Sequence, residues 1–291
     1  MATTSINTIK NYLSLVKFSH TIFAMPFAVI GYFLGITYTQ SPFDIKLFGL
    51  VILCMIFARS AAMAFNRYID RRFDEQNART AVREIPAGII KPNNALFFVF
   101  ANCILFIVCT FFINNICFFL SPIALMVILG YSFTKRFTSW CHLVLGLGLA
   151  LAPIGAYLAV SGKFDWLPLF FSFSVLFWVS GFDIIYALQD EAFDKSINLK
   201  SIPVLLGKKG ALFLSTVLHI ISASFIIYAG LYASFNNWYW TGVVVFIGLL
   251  TYQHAIVKSN DLSKVNLAFA TTNGIAGVVF AIFVLINLFV K

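Results

Sequence analysis

The chain is predicted to be an all-α polytopic membrane protein of about nine transmembrane helices. Composition, the spacing of apolar stretches and the distribution of Lys and Arg lead there. Of its 291 residues 60% are hydrophobic and 11% charged, and the mean hydropathy is +0.91. A soluble domain carries roughly 25% charge. Strict alternation of apolar and polar residues is absent, which argues against a transmembrane β-barrel. The apolar stretches fall at about 19–38, 46–67, 93–113, 117–134, 141–160, 166–188, 210–233, 237–257 and 268–289. A spanning helix needs roughly 20 such residues. Together they use most of residues 1–291, so the chain reads as one integral-membrane domain with no room for a soluble one.

The first stretch follows a polar segment with Lys10 and Lys17, contains Pro26 and lacks a small-residue cleavage site, so it reads as a retained helix. With nine spans, the N-terminus and the loops after the second, fourth, sixth and eighth share one side. That side holds sixteen of the twenty Lys and Arg, the other holds Lys46, Lys163 and Lys291, and Arg59 lies within a span. The positive side is expected to be cytoplasmic, as in a bacterial inner membrane. The net charge of +9 is thus a topology signal, and nucleic-acid binding is a poor reading of it. Outer loops are short. Two inner loops, 68–94 and 190–209, are long and polar, and polar connectors of that length are uncommon without a task, so they are expected to cap a site.

Both long loops follow an acidic signature. The first runs Asn66-Arg67-Tyr68-Ile69-Asp70-Arg71-Arg72-Phe73-Asp74, and the second from Asp183 and Tyr186 through Asp190 to Asp194. Aspartates four residues apart share a helix face about 6 Å apart along the axis. Carboxylates that close repel unless a cation lies between them, and Mg²⁺ is a hard cation that also takes substrate phosphates. Asp70, Asp74, Asp190 and Asp194 are therefore candidate Mg²⁺ ligands, with Asn66 a neutral oxygen donor to metal or phosphate. Asp183, Tyr186, Asp190 and Asp194 are expected on one face of one helix. Two such pairs at a membrane surface suit a Mg²⁺-bound diphosphate on a lipid-soluble tail.

Arg59 lies about 10 Å deeper than Asn66 on the same face. An intramembrane charge is expensive and faces a cavity or a partner. Its partner is either a carboxylate such as Asp183 or an anionic group on a second substrate, which a guanidinium binds bidentately. Lys135 and Arg136 follow the fourth span on the side of the Asp pairs, where they are either topology anchors or cations aimed at a departing diphosphate. Arg71, Arg72, Arg79 and Arg83 are similar candidates. The 34 Phe are expected mainly in the core and facing lipid, with some lining an apolar groove and stabilising an allylic cation through their π faces. The five cysteines have no metal-type spacing, and the histidines (His20, His142, His219, His254) are scattered over four segments. No nucleotide-type glycine loop or hydrolase nucleophile motif is present.

The stretches Asn66–Asp74 and Tyr186–Asp194 resemble the two Asp-rich motifs of the UbiA superfamily of intramembrane prenyltransferases. Residues 77–88, Asn-Ala-Arg-Thr-Ala-Val-Arg-Glu-Ile-Pro-Ala-Gly, look like the loop of its 4-hydroxybenzoate polyprenyltransferase branch. The resemblance covers nearly the whole chain. It implies a helical bundle around a central cavity capped by the two inner loops. It implies Mg²⁺-dependent transfer of a prenyl group from a polyprenyl diphosphate to an aromatic ring, within the lipid bilayer. By position, Asn66, Asp70, Asp74, Asp190 and Asp194 would bind the Mg²⁺-diphosphate. Lys135 and Arg136 would help the diphosphate leave, with Arg72 and Arg79 beside them. Arg59 would hold the carboxylate of an aromatic acid, and Asp183 and Tyr186 would orient the acceptor or take a proton. The first motif has Asn66-Arg67 where other branches often have Asn-Asp, which removes Arg67 as a ligand and favours a hydroxybenzoate over a naphthoate acceptor. A naphthoate of a menaquinone route remains the alternative acceptor. A secondary transporter is a more distant alternative, which broken helices at the bilayer midplane would support.

Overall fold

The structure, a computed structural model, describes the backbone of residues 2–17 and 23–290, and side chains from residue 8 onward. Residues 19–22 of the first expected span, including His20, lie outside the described residues. The helices are α1 (Ala2–Leu15), α2 (Met25–Thr39), α3 (Ile45–Gln76), α4 (Pro92–Ile113), α5 (Asn115–Thr134) and α6 (Cys141–Ser161), then α7 (Trp166–Ala187), α8 (Glu191–Ser196), α9 (Ile202–Tyr232), α10 (Asn237–Ile256) and α11 (Asn273–Phe289). Among the described residues there is no β-strand beyond one isolated bridge between Lys258 and Asp261. Each expected stretch is occupied for most of its described length by a helix. Seven of them are long and apolar enough to cross a membrane: α3, α4, α5, α6, α7 with α8, α9, and Leu267–Phe289. Helix α2 is apolar but 15 residues long, and α10 is not among the seven.

Short polar residues set the helix starts. Asp44, Asn114, Asp165 and Asn236 each accept a backbone N–H in the first turn of α3, α5, α7 and α10. Those N–H groups have no partner inside the helix, so a side-chain oxygen there both satisfies and directs the start. These four caps close the short loops on the side opposite the acidic motifs. Helix α9 contains a break at Gly207, with φ 66° and ψ 174°. A left-handed φ there is open to glycine, and it splits off a short cap-loop helix from the long apolar run. Of the two expected caps, the second therefore carries short helices, while 77–91 is a string of turns with Gly88 at φ 72°.

Aromatic packing concentrates in one part of the bundle. Trp178, Phe171 and Phe182 of α7 pack with Phe27 of α2, Tyr239 and Phe246 of α10 and Phe280 of α11, all at most 2% exposed. The Trp178 ring centroid lies 5.2 to 5.6 Å from those of Phe27, Phe182 and Phe246, at the tilted and edge-on angles that aromatic quadrupoles favour. A polar chain runs through this apolar mass. Trp178 Nε1 donates to Asn273 Oδ1 at 2.9 Å, and Asn273 Nδ2 donates to Gln253 Oε1 at 3.0 Å. His219 Nε2 faces the Trp178 carbonyl at 3.2 Å. A carbonyl only accepts, so Nε2 carries the proton and the single lone pair of Nδ1 accepts from His254 Nε2 at 2.8 Å, with Gln253 Nε2 3.3 Å away. Small residues let the helices close: a methyl group on Gly31 would fall 2.0 Å from the Pro153 carbonyl oxygen. Close backbone approach of this kind replaces the hydrophobic drive that lipid cannot supply.

Asn273 joins Trp178 to Gln253 and also bonds the Ala268 carbonyl at 2.8 Å. Asn273→Leu leaves these groups unpaired, at a cost of about 1–3 kcal/mol for each. The midpoint of denaturation in detergent should fall clearly for this variant, and an unchanged midpoint would show that the chain does not hold α7, α10 and α11 together.

Candidate active site

Helix α3 has 32 residues, a length of about 48 Å against a hydrocarbon layer of about 30 Å. Its last turns therefore run past the apolar zone and carry Asn66, Asp70 and Asp74 to the bundle end where α5 and α7 also finish. There a polar cavity of about 200 Å³ is lined by Asn66, Asp70, Asp74, Arg79, Tyr131, Lys135, His142, Asp183, Tyr186, Asp190 and Asp194, with Asn77, Thr80 and Arg83 from the first cap. The two acidic signatures thus face one space.

The second signature does not lie on one continuous helix. Helix α7 ends at Ala187, a tight 3₁₀ turn covers Leu188–Asp190, and Asp194 belongs to α8. The Leu188 N–H is shared between the Ile185 and Tyr186 carbonyls. Tightening of a last turn in this way is a common means of satisfying end carbonyls. The expected four-on-one-face pattern is therefore broken after Tyr186, although all four side chains still reach the cavity.

Each motif aspartate sits against a basic side chain. Arg79 holds Asp190 bidentately, Nη2 to Oδ2 at 2.5 Å and Nε to Oδ1 at 3.1 Å, and its Nη1 donates to the Tyr186 hydroxyl at 3.1 Å. Arg83 Nη1 meets Asp74 Oδ1 at 2.6 Å. Lys135 Nζ lies 2.8 and 2.7 Å from the two oxygens of Asp194, whose side chain is 1% exposed. Arg136 Nη2 lies 3.6 Å from Asp70 Oδ1 and donates to the Ile69 carbonyl at 3.0 Å. Asn66 Nδ2 donates to Asp70 Oδ2 at 3.0 Å. Burial pulls the Lys135 ammonium down, but the charge and hydrogen bond of Asp194, with Asp190 behind, outweigh it and hold it above the usual lysine value. Arg72, by contrast, is exposed and does not line the cavity.

The donor set of the two motifs suits a hard divalent cation: Asn66 and four aspartates offer oxygen, and Asp74 Oδ2 is buried without a hydrogen-bond partner. Among the described residues, no three metal-type side chains already close around one point. The four carboxylates are instead drawn apart onto their basic partners.

Arg59 lines a second cavity, of about 350 Å³ and apolar, between α3, α4, α5 and α6. Tyr131 and Leu145 line both cavities, so the two adjoin. Arg59 Nε is buried without a hydrogen-bond partner, and among the described residues no carboxylate lies within ion-pair distance of Arg59. Asp183 is not its partner: His142 Nδ1 meets Asp183 Oδ2 at 2.7 Å. The aromatic wall expected of the apolar groove is thin, since only Phe106, Tyr131 and Phe164 join an otherwise mainly aliphatic lining. His142 is the site residue that sequence reading passed over. Its place in the first turn of a span, on the side of both acidic motifs, was the available signal.

Lys135→Met leaves the buried Asp194 without its cation, a loss worth about 1–3 kcal/mol for a partly exposed pair. The thermal midpoint in detergent should fall, and adding Asp194→Asn should recover most of it. A double variant as unstable as the single one would show that Lys135 stabilises this end by some other contact.

The UbiA prenyltransferase family model matches residues 24–287. A 4-hydroxybenzoate octaprenyltransferase of Nitrosomonas europaea is 30% identical over 246 residues, 84% of each chain. One of Francisella tularensis subsp. mediasiatica is 27% identical, covering 83% of this chain and 85% of that one. Among solved structures, the apo structure of a UbiA homologue from Aeropyrum pernix K1 superposes with TM-score 0.79 at 28% identity, covering 93% of this chain and 97% of that one. A UbiA homologue from Archaeoglobus fulgidus bound to DMAPP and Mg²⁺ shares the fold, with TM-score 0.73 at 21% identity, covering 97% of this chain and 100% of that one. With a family model over residues 24–287, a relative 30% identical over 84% of each chain and the same helical fold in a solved homologue, the chain belongs to the UbiA prenyltransferase family.

Proposed function

We propose that the protein transfers a polyprenyl group from a polyprenyl diphosphate to the ring of an aromatic acid of the 4-hydroxybenzoate type, in a Mg²⁺-dependent step of quinone biosynthesis. The observation that carries this reading is the junction of two unlike cavities. One holds the four motif carboxylates and their basic partners, and the other is apolar and holds Arg59, which has no carboxylate partner among the described residues. The names of the Nitrosomonas and Francisella relatives support the acceptor, and the Mg²⁺ and DMAPP of the Archaeoglobus homologue support the donor and the metal. The fold places the motifs at one end of the bundle, and the Lys and Arg bias supports that end as the cytoplasmic face of a bacterial inner membrane.

Held by Asp70, Asp74, Asp190 and Asp194 with Asn66, Mg²⁺ would supply Lewis-acid neutralisation of the diphosphate. Arg79, Lys135 and Arg136 stand where they donate to diphosphate oxygens as the bond to C1 of the prenyl chain lengthens. The tail lies in the aliphatic cavity, which keeps water from the allylic cation. That cavity is bordered by the exposed side chains Ile123 and Phe164, which suits a lateral exit for a long tail into lipid. Arg59 binds the acceptor's carboxylate, the ring attacks C1, and Asp183 takes the ring proton with Tyr186 beside it orienting the acceptor. A naphthoate acceptor would use Arg59 equally, and the Asn66-Arg67 pair favours the hydroxybenzoate.

Asp70→Ala and Asp190→Ala should abolish prenyl transfer by protein that stays folded in detergent, and EDTA should do the same to the wild type until Mg²⁺ is restored. Full turnover by either variant sinks the metal assignment. Arg59→Leu should raise KM for the aromatic acid by roughly 10–150-fold, the loss of one charge-assisted hydrogen bond, and leave the KM for the diphosphate much less affected. An acceptor without the carboxylate should be poor with the wild type and lose little more with the variant. Equal losses for both acceptors would make Arg59 a structural residue.

A further inference from the structure

Among the described residues, Asp183 is the one acidic side chain of the polar cavity whose ion-pair partner is a histidine. We propose that His142 is a positioning residue for the reaction, holding Asp183 as the proton acceptor at the junction of the two cavities. The inference rests on the proposed ring prenylation and adds a residue and a role to it.

Three observations carry it. First, the imidazole is fixed at both nitrogens. Nδ1 lies 2.7 Å from Asp183 Oδ2, and Nε2 receives the backbone N–H of Ile202 at 3.4 Å. A nitrogen that accepts an N–H has no proton of its own, so the proton resides on Nδ1 and is donated to the carboxylate. The Ile202 N–H is free to do this because it opens α9, where first-turn N–H groups have no helical partner. The His142 carbonyl in turn accepts from Ser180 Oγ at 3.1 Å. Three helices, α6, α7 and α9, therefore set the orientation of one ring.

Second, burial differs between the partners. The His142 side chain is 4% exposed and that of Asp183 22%. Both side chains line the polar cavity, the carboxylate is the more exposed of the two, and the imidazole engages its Oδ2, which leaves Oδ1 as the oxygen to take a proton. Third, the pair shares its cavity with the residues that connect the two spaces. Asp183, on α7 before the break at Ala187, precedes Asp190 by seven residues, and Tyr131 and Leu145, which line the polar cavity with it, also line the apolar one. An acceptor ring anchored at Arg59 and attacking C1 must reach that junction.

The step balances without a further reactant. A bond forms between the ring carbon and C1 as the C1–diphosphate bond breaks. The ring C–H bond then breaks, its electron pair restores the aromatic ring, and the proton forms an O–H bond at Asp183 Oδ1. Throughout, the Nδ1–H of His142 stays on Oδ2 and keeps the acceptor oxygen aimed at the ring. A carboxylate free to rotate would lose that alignment.

The test uses purified full-length protein in detergent with geranyl diphosphate, 4-hydroxybenzoate and Mg²⁺. His142→Leu should lower kcat by about 10–150-fold, the worth of one charge-assisted hydrogen bond, and leave the KM for the diphosphate within about twofold. His142→Asn, whose amide nitrogen can replace Nδ1 as donor, should recover most of kcat. In an Asp183→Asn background, His142→Leu should cost nothing more, because it acts only through Asp183. Equal losses in both backgrounds, or wild-type kcat in His142→Leu, overturn the proposal. Should His142→Leu not fold, His142→Gln, which moves the donor away from Asp183, takes its place. Infrared difference spectra of wild type minus Asp183→Asn read the same contact without turnover. The Asp183 carboxylate stretch should move in His142→Leu and return in His142→Asn, and an unmoved band overturns the pairing. A wild type that prenylates no aromatic acid would sink the proposed activity, while the infrared result would still decide the His142–Asp183 contact.

Discussion

Four carboxylates at the end of an apolar bundle set the terms for the surrounding structure. Asp74 and Asp194 are buried, and Asp70 and Asp190 line the same cavity of about 200 Å³ with them. At close range two like charges in such a setting repel by several kcal/mol even with generous screening. The fold answers with one cation for each, and the cations come from two segments only. The first cap supplies Arg83 to Asp74 and Arg79 to Asp190, and the loop after α5 supplies Lys135 to Asp194 and Arg136 to Asp70. Arg79 thereby ties the first cap to the second acidic motif, and Lys135 ties α5 to the second cap. In the proposed reaction the same basic side chains would also meet the diphosphate, so folding and substrate binding would draw on one set of groups.

The rest of the bundle separates stiffness from space. Phe, Trp and Tyr interlock on α2, α7, α10 and α11, and the Trp178–Asn273–Gln253–His219 chain fixes their register from inside. The helices α3, α4, α5 and α6 enclose the apolar cavity with Ala, Leu, Ile, Val and Met. Buried polar networks lose much if one member shifts, which suits the half that carries Asp183 and Tyr186 on α7. Aliphatic side chains adapt with less directional preference than rings, which suits a wall for a long flexible tail.

Much of this was legible in the sequence because its causes are local. Apolar run length gave the helix positions, and Asp70 and Asp74 at four-residue spacing gave one shared face. The union of the two motifs followed from both lying at span ends on the Lys-rich and Arg-rich side. What escaped depended on distant geometry. The break after Ala187 arises from shared carbonyls in a last turn, with no Gly or Pro to announce it. The pairing of Asp183 with His142 joins residues 41 apart, and nothing in their spacing marks them. Arg59 was open between a carboxylate partner and a substrate, and only the three-dimensional arrangement shows Asp183 already engaged elsewhere. The 34 Phe could not be assigned from periodicity, because a span that is apolar all round has no distinct face.

Arg59 and Asp183 then acquire complementary meanings. Both are charged side chains at depth, where a group without a partner is costly. Asp183 has its partner in His142, yet keeps part of its surface in the cavity. Arg59 has none among the described residues and lies in an apolar space beside Tyr131. An unpaired guanidinium on the apolar side and a held carboxylate on the polar side define a direction across the junction. The proposed acceptor, a ring bearing a carboxylate at one end, would fit that direction with its acid towards Arg59 and its reacting edge towards Asp183 and the polar cavity. That orientation would keep its negative charge away from the four motif carboxylates, so electrostatic repulsion and attraction would favour one pose.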